Sequence, residues 1–312
     1  MNGNSDRPTV LTLIVTYNGE GSIDALLDTC LRDCLAHLPI LVIDNASSDA
    51  TVARLEHSGV AGLTVQRLPE NIGVAAAYNL GLQHAQSLRA DWLWIFDQDS
   101  TCSKGLLERL LGQARILENQ GARVGALFPC VHSQRFPEHI HFPYDWTGVA
   151  LRVSEQARSA TNDPANSPVP VDSSISSGTL YKAAALADIG GFRGDYFIDF
   201  VDHECHLRLG QASWSLWWDP GAPLYHNLGA LQQAANDGLW IEHPPYRYYY
   251  MARNMLEGLG RLGGKSALDQ FLRHDILNHI RLIFRYGTRP YATLWYILKG
   301  LTHGLRGKFG RL

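Results

Sequence analysis

Between residues 10 and 96 the chain alternates four short apolar runs with segments of helical period, and this pattern restricts its fold more than any other feature. The runs cover residues 10–16, 40–43, 63–68 and 92–96. Residues 22–38 place Ile23, Leu26, Leu27, Cys30, Leu31, Cys34, Leu35 and Leu38 at helical spacing behind Ser22, a natural N-cap. Residues 51–57 and 74–88 read as further helices, the second rich in small side chains. Strands alternating with helices at this spacing predict an α/β fold with a parallel, doubly wound sheet. Ligands of such sheets bind at the carboxyl edge of the strands. Three of the runs end there in polar groups: Tyr17-Asn18-Gly19, Asp44-Asn45, and Asp97-Gln98-Asp99-Ser100.

The last of these is the sharpest. Five bulky residues, Trp92 to Phe96, stop at two carboxylates one residue apart. Asp97 and Asp99 can lean to one side of a strand end and hold a divalent cation, Mg²⁺ or Mn²⁺, against phosphate oxygens. A solvated turn would use the same residue types. No G-x-G-x-x-G follows the first run and no Walker lysine motif is present, so neither a dinucleotide cradle nor a P-loop is indicated. A site lined by acids needs a metal to receive a diphosphate.

Further on, residues 106–120 read as a helix, 124–128 as a strand, 132–166 as a variable loop or insertion, and 171–181 as a strand of small and β-branched residues. Residues 196–204 set Asp199, Asp202 and Glu204 among aromatics at a predicted helix start. There they suit the helix dipole, or one of them serves as a base. A strand at 214–219 leads to His226, which is structural or a metal ligand. From residue 244 the chain turns helical, over 246–262, 266–286 and 290–305, giving expected domains of 1–243 and 244–312.

The net charge of -3 hides an asymmetry, because residues 247–312 hold twelve Lys or Arg against three Asp or Glu. Aromatic residues interleaved with these cations favour a membrane surface over a purely electrostatic grip, and an ordinary solvated helical face fits equally. The five cysteines form no C-x-x-C pair and fit reduced thiols. Polar first residues and the lack of a long apolar segment predict a cytoplasmic chain, peripheral at most to the inner face of the membrane.

Thr16-Tyr17-Asn18, Val42 to Asp49, Asn71 to Gly81 and Phe96 to Ser100 occur in the order expected of family 2 glycosyltransferases with the GT-A fold, which the chain resembles from about residue 10 to about 254. The Asp-Gln-Asp-Ser form and the downstream Phe197-Ile198-Asp199 and Val201-Asp202-His203-Glu204 look most like the bacterial rhamnosyltransferases of that family. The resemblance implies Asp44 at the nucleobase with Thr16, Tyr17 and Asn18 beside it. It implies Asn71, Gly73 and Asn79 under the nucleotide, Asp97 and Asp99 at ribose and metal, and His226 completing the metal shell or touching the diphosphate. It further implies Asp202 as the base and Arg253 as a cation for the leaving phosphate. Val201 stands where many relatives carry another acid, which keeps Asp199 and Glu204 in contention.

One base opposite one leaving group implies inversion. The expected donor is dTDP-L-rhamnose, on resemblance alone, and the expected acceptor is a glycan or polyprenyl-diphosphate-linked sugar of cell-surface polysaccharide, with no nucleic-acid partner. Transfer of another UDP- or dTDP-hexose and a non-catalytic nucleotide-sugar-binding protein are the competing expectations.

Overall fold

Strands β1 (Val10–Thr16), β2 (Ile40–Asp44), β3 (Leu63–Arg67) and β4 (Trp92–Asp97) form where the apolar runs predict them. They belong to a computed structural model that describes residues 8–28, 38–163, 167–227, 230–234 and 238–312. β1 pairs in parallel with β2 and with β4, and β2 pairs with β3. The chain therefore builds outward from β1 to β3 and then returns to β1's other side. The carboxyl ends of β1 and β4 flank the point where strand order reverses, which is where a cleft must open.

The helices of this half are α1 (Ile23–Ala25), α2 (Thr51–Glu56) and α3 (Val74–Ser87). Most of the helix expected over 22–38 lies outside the described residues. The sheet continues through β5 (Ser100–Cys102), β6 (Val124–Ser133), β7 (Ile140–His141), β10 (Val169–Pro170), β11 (Thr179–Lys182) and β12 (Ser215–His226), while β8 (Tyr144–Trp146) and β9 (Leu151–Val153) form a separate hairpin. β11 is inserted antiparallel between β4 and β6, and β12 runs parallel to β6.

Two expectations change here. The strand predicted over 171–181 is confined to its end, because the side chains of Ser173 and Ser177 are spent on His203, His206 and Asp97, and Gly178 turns the backbone at φ +70°. The loop predicted over 132–166 contains the β8–β9 hairpin and a helix, α5 (Glu155–Ala160), whose first turn is capped by Ser154 accepting from Ala157 N–H. Helices α4 (Leu106–Asn119), α6 (Ala183–Asp188) and α7 (Val201–Gln211) complete the α/β part.

Both faces of the sheet are covered, which is why its strands read as unbroken apolar runs. Leu11, Leu13, Leu41, Ile43, Leu93 and Ile95 enter one core. Their alternates Val10, Ile14, Ile40, Val42, Trp94 and Phe96 enter the other. Gly81 lets α3 press onto β1, since a Cβ there would lie 2.2 Å from Leu13.

The C-terminal part is α8 (Pro245–Gln270), a π-helical turn (Phe271–Asp275), α9 (Ile276–Tyr286) and α10 (Pro290–Leu305). α8 starts after Pro244 and kinks at Gly264, where the sequence suggests a break. Its Tyr248, Ala252, Leu256 and Leu259 join the same core as α3 and β1. No helix of the described residues is long and apolar enough to cross a membrane.

Candidate active site

A cavity of about 910 Å³ opens at the carboxyl ends of β1 and β4. The donor-side expectations are only partly brought together there. Thr16, Tyr17, Asn71, Gly73, Asp97, Asp99, Asp202 and His226 line it. Asp44 is buried behind Thr16, accepting from the Thr16 hydroxyl at 3.1 Å and from Ser47 N–H at 3.0 Å, so it meets the cavity through its neighbours.

Three expected contacts fall elsewhere. Asn18 ties β1 to the loop after β2, accepting from Ser48 N–H at 2.8 Å. Asn79 faces away from the cleft and clamps the backbone of Phe192, donating to its carbonyl and accepting from its N–H, both at 2.8 Å. Arg253 is fully buried and donates to the carbonyls of Tyr196 and Gly310, each at 2.7 Å, so it has no free face for a phosphate. Gly73 does permit a close approach, as expected of a glycine, but the backbone that approaches is that of Phe197. Val74 N–H donates to Phe197 carbonyl at 2.7 Å, and a Cβ on Gly73 would lie 2.5 Å from that oxygen.

Asp97, Asp99 and His226 each offer a ligand atom, all within 4.8 Å of one another. His226 lies 3.2 Å from Asp99 through Nδ1 and 3.6 Å from Asp97 through Nε2. β12 brings it there by continuing to pair with β6 beyond an irregularity between Asp219 and Pro223. Burial pushes the Asp97 carboxyl up, as do the like charges of Asp99 and Asp202, while His226 and the Ser177 hydroxyl oppose this. Burial also works against a charged His226, but the two carboxylates outweigh it and raise its pKa. Two acids and an imidazole whose charges must be mutually compensated form a donor set that fits Mg²⁺ or Mn²⁺.

The three contending acids have different partners. Asp199 is held by both ends of the Arg247 guanidinium. Glu204 is fully buried, bonded to Arg208 at 2.7 and 2.8 Å and to Arg261 from α8. Asp202 accepts from the neighbouring His203 N–H at 2.9 Å and pairs with no cation among the described residues. Its charge reaches Asp97, Asp199 and Tyr78 across the cavity.

Sequence reasoning missed several lining residues. Arg247 lies six positions before Arg253 on α8, which turns it to a different face, and it is the α8 arginine that lines the cavity. His141 also lines it, and its buried Nδ1 has no partner among the described residues. His203 begins a buried chain: Nδ1 meets Ser173 Oγ at 2.6 Å, that oxygen meets His206 Nδ1 at 3.1 Å, and His206 Nε2 meets Tyr181 hydroxyl at 2.7 Å. Only the run of polar residues at 202–206 hinted at this network.

Burial pushes His141 and His243 down to about 4 and His206 to about 3. All three are neutral in the folded chain and become charged in the unfolded chain below about pH 6.5. The unfolded state therefore binds more protons between about pH 6.5 and 4, so stability is intact above that window and falls as pH drops through it. His279 and His303, also lowered, add to this, while His226 and the buried Asp97 and Asp199 carboxyls, raised instead, oppose it. The thermal midpoint is expected to decline from pH 7 to pH 5, and a midpoint that stays level or rises would refute the neutral, buried histidines.

Comparison with known proteins gives consistent likenesses. The model of Glycosyl transferase family 2 matches residues 12–184. The dTDP-rhamnosyl transferase RfbF of Shigella flexneri is 25% identical over 248 residues, 78% of each chain. Galactofuranosyltransferase GlfT1 of Mycobacterium tuberculosis is 26% identical over 310 residues, 97% of each chain. In structure, the chain is similar to mannosyltransferase PcManGT from Pyrobaculum calidifontis, solved with GDP-Man and Mn²⁺, with a TM-score of 0.56 and 16% identity over 97% of this chain and 89% of that one. It is also similar to Staphylococcus aureus TarS 1-349 solved with UDP-GlcNAc, with a TM-score of 0.57 and 14% identity over 96% and 81%.

Proposed function

Because the chain belongs to glycosyl transferase family 2, we propose that it is an inverting, metal-dependent transferase carrying L-rhamnose from dTDP-L-rhamnose to a glycan or lipid-linked acceptor of bacterial cell-surface polysaccharide. The observation that carries this reading is the pairing, across one cavity, of the Asp97-Asp99-His226 cluster with Asp202, a carboxylate without a cationic partner among the described residues. Thr16, Tyr17, Asn71 and Gly73, which line that cavity, would receive the nucleotide, with Asp44 supporting Thr16 from behind. Asp97, Asp99 and His226 would hold Mg²⁺ or Mn²⁺, which when bound supplies charge neutralisation for the departing diphosphate.

Asp202 takes the proton of the acceptor hydroxyl as that oxygen bonds to the anomeric carbon. The bond from that carbon to the diphosphate oxygen breaks, and dTDP leaves with its electron pair. A single displacement of this kind inverts the anomeric centre. Arg247, anchored by Asp199, brings a positive charge to the same cavity. The similarity to RfbF supports the rhamnosyl donor. A second reading, transfer of galactofuranose or another hexose from a UDP-sugar, is favoured by the similarity to GlfT1 over nearly the whole chain. The protein's place would be the cytoplasm, against the inner face of the membrane.

A donor-hydrolysis panel with Mn²⁺ tests this. Release of dTDP from dTDP-L-rhamnose faster than release of UDP from UDP-hexoses is expected. Preference for a UDP-sugar would select the second reading, and metal-dependent nucleotide binding without turnover of any donor would leave only a binding protein.

A further inference from the structure

Beside the active-site cavity lies a second, shallower depression of about 510 Å³, lined by Arg152, Arg273, His274, Asp275, Leu277 and Arg281 among others. Arg152 and Asp275 border both spaces, and their ion pair at 3.5 Å marks the threshold between them. Three arginines face one carboxylate in this lining. Arg281 pairs with no acid among the described residues, and the exposed Arg273–Asp269 pair is of the kind that holds its cation only weakly.

An apolar band starts at the same place. Leu277 and Phe284 stand on one exposed face of α9, two turns apart, with Arg281 between them. Phe284 meets Tyr291 edge-on at 5.5 Å between ring centres, and Tyr291, Trp295 and Leu298 continue the band along α10. Lys299 covers the Trp295 ring at 4.9 Å. Of thirteen large hydrophobic side chains exposed among the described residues, eight lie between 272 and 312, a concentration that isolated surface hydrophobics do not produce. Aromatic rings mixed with cations are the make-up of a membrane-interface face, and the arginine-lined depression adjoining them complements an anionic headgroup.

Exposed apolar band, basic depression and active-site cavity thus follow one another without a gap. That is the order of parts in a lipid-borne sugar phosphate. We infer that the depression is the phosphate subsite of the acceptor, a polyprenyl-type phosphate or diphosphate ester whose lipid lies in the bilayer against α9 and α10 while its sugar enters the cavity. This deepens the proposed function and rests on its reading of the cavity as the place of transfer. Arg273 and Arg281 bind the phosphate, and the Arg152–Asp275 pair opens as the sugar passes.

Co-sedimentation of the full chain with vesicles tests the subsite without requiring turnover. Three compositions are compared: phosphatidylcholine, phosphatidylcholine with phosphatidylglycerol, and phosphatidylcholine with polyprenyl monophosphate at matched charge. The unmodified chain is expected to prefer the third. Arg273→Ser with Arg281→Ser should weaken that binding by roughly tenfold or more and remove the preference. Trp295→Ser should weaken binding to all three. Calorimetry with dTDP and Mn²⁺ on the same proteins reports whether the cavity stays formed. Equal binding to both anionic vesicles would make the surface a general lipid contact and overturn the subsite, as would a double variant that keeps the preference. A dimer abolished by Trp295→Ser would assign the band to a second copy and also overturn it. Failure of the unmodified chain to bind dTDP, with the phosphate preference intact and arginine-dependent, would strike the reading of the cavity and leave the subsite supported.

Discussion

Asp202→Asn is expected to lower kcat by roughly 10²–10⁴-fold while nucleotide affinity stays nearly unchanged. The substitution keeps shape and removes basicity. Its rivals are already engaged: Asp199 anchors Arg247, and Glu204 is enclosed by Arg208 and Arg261. A base needs an open oxygen for the incoming proton: burial raises the Asp199 carboxyl despite Arg247, but its oxygens are already bonded to that guanidinium, as those of Glu204 are to two. Glu204→Gln should register in stability instead, because it leaves two cations facing a neutral group in the core. Steady-state kinetics with saturating donor, beside dTDP calorimetry, separates the cases. If Asp202→Asn stays active while Asp199→Asn is dead with donor binding intact, the base is the wrong carboxylate.

Asp99→Ala should cost more than ~100-fold in turnover and abolish the response to added Mn²⁺, since the metal is asked to supply several kcal/mol of leaving-group stabilisation. The fold should survive. Asp99 lies where β4 gives way to β5, its side chain partly open to solvent, and its removal relieves a like charge beside Asp97. Asp97 is the less clean target because the Ser177 hydroxyl is bonded to it from the neighbouring wall. Turnover undiminished in the Asp99 variant, with the same metal dependence, would remove the assignment.

The donor half was readable because its rules are local. Strands buried on both faces announce themselves as apolar runs, and the switch between β1 and β4 follows from their order, so Thr16, Tyr17, Asp97 and Asp99 could be placed from the sequence. His226 was harder. β12 passes through Pro220 and Pro223, which argue against a strand, and only its continued pairing with β6 carries the imidazole to the acids. Arg253 and Asn79 show the limit most plainly. Each stands in a motif-like setting, but the face it presents depends on how α8 and α3 dock, and that information is spread over the whole core. The same docking turned Arg247 into the cavity, and helical period alone gives no means of choosing between the two arginines.

Between Tyr196 and Val201 the backbone takes positive φ at Phe197, Asp199 and Phe200, and Ile198 N–H folds back to the Tyr196 carbonyl at 2.9 Å. Side-chain-bearing residues pay an energetic penalty in such conformations and need outside support. The support comes from α8: Asn254 donates to the carbonyls of Tyr196, Ile198 and Asp199, and Arg253 donates to Tyr196 as well. The loop that delivers Asp199 and Asp202 is therefore shaped by residues some fifty positions later, beyond the 12–184 segment matched by the family model. This bears on recombination among relatives. A graft that exchanges the C-terminal helices must carry the Arg-Asn pair with a loop that fits it, because the two are halves of one bonded unit separated only in the linear chain.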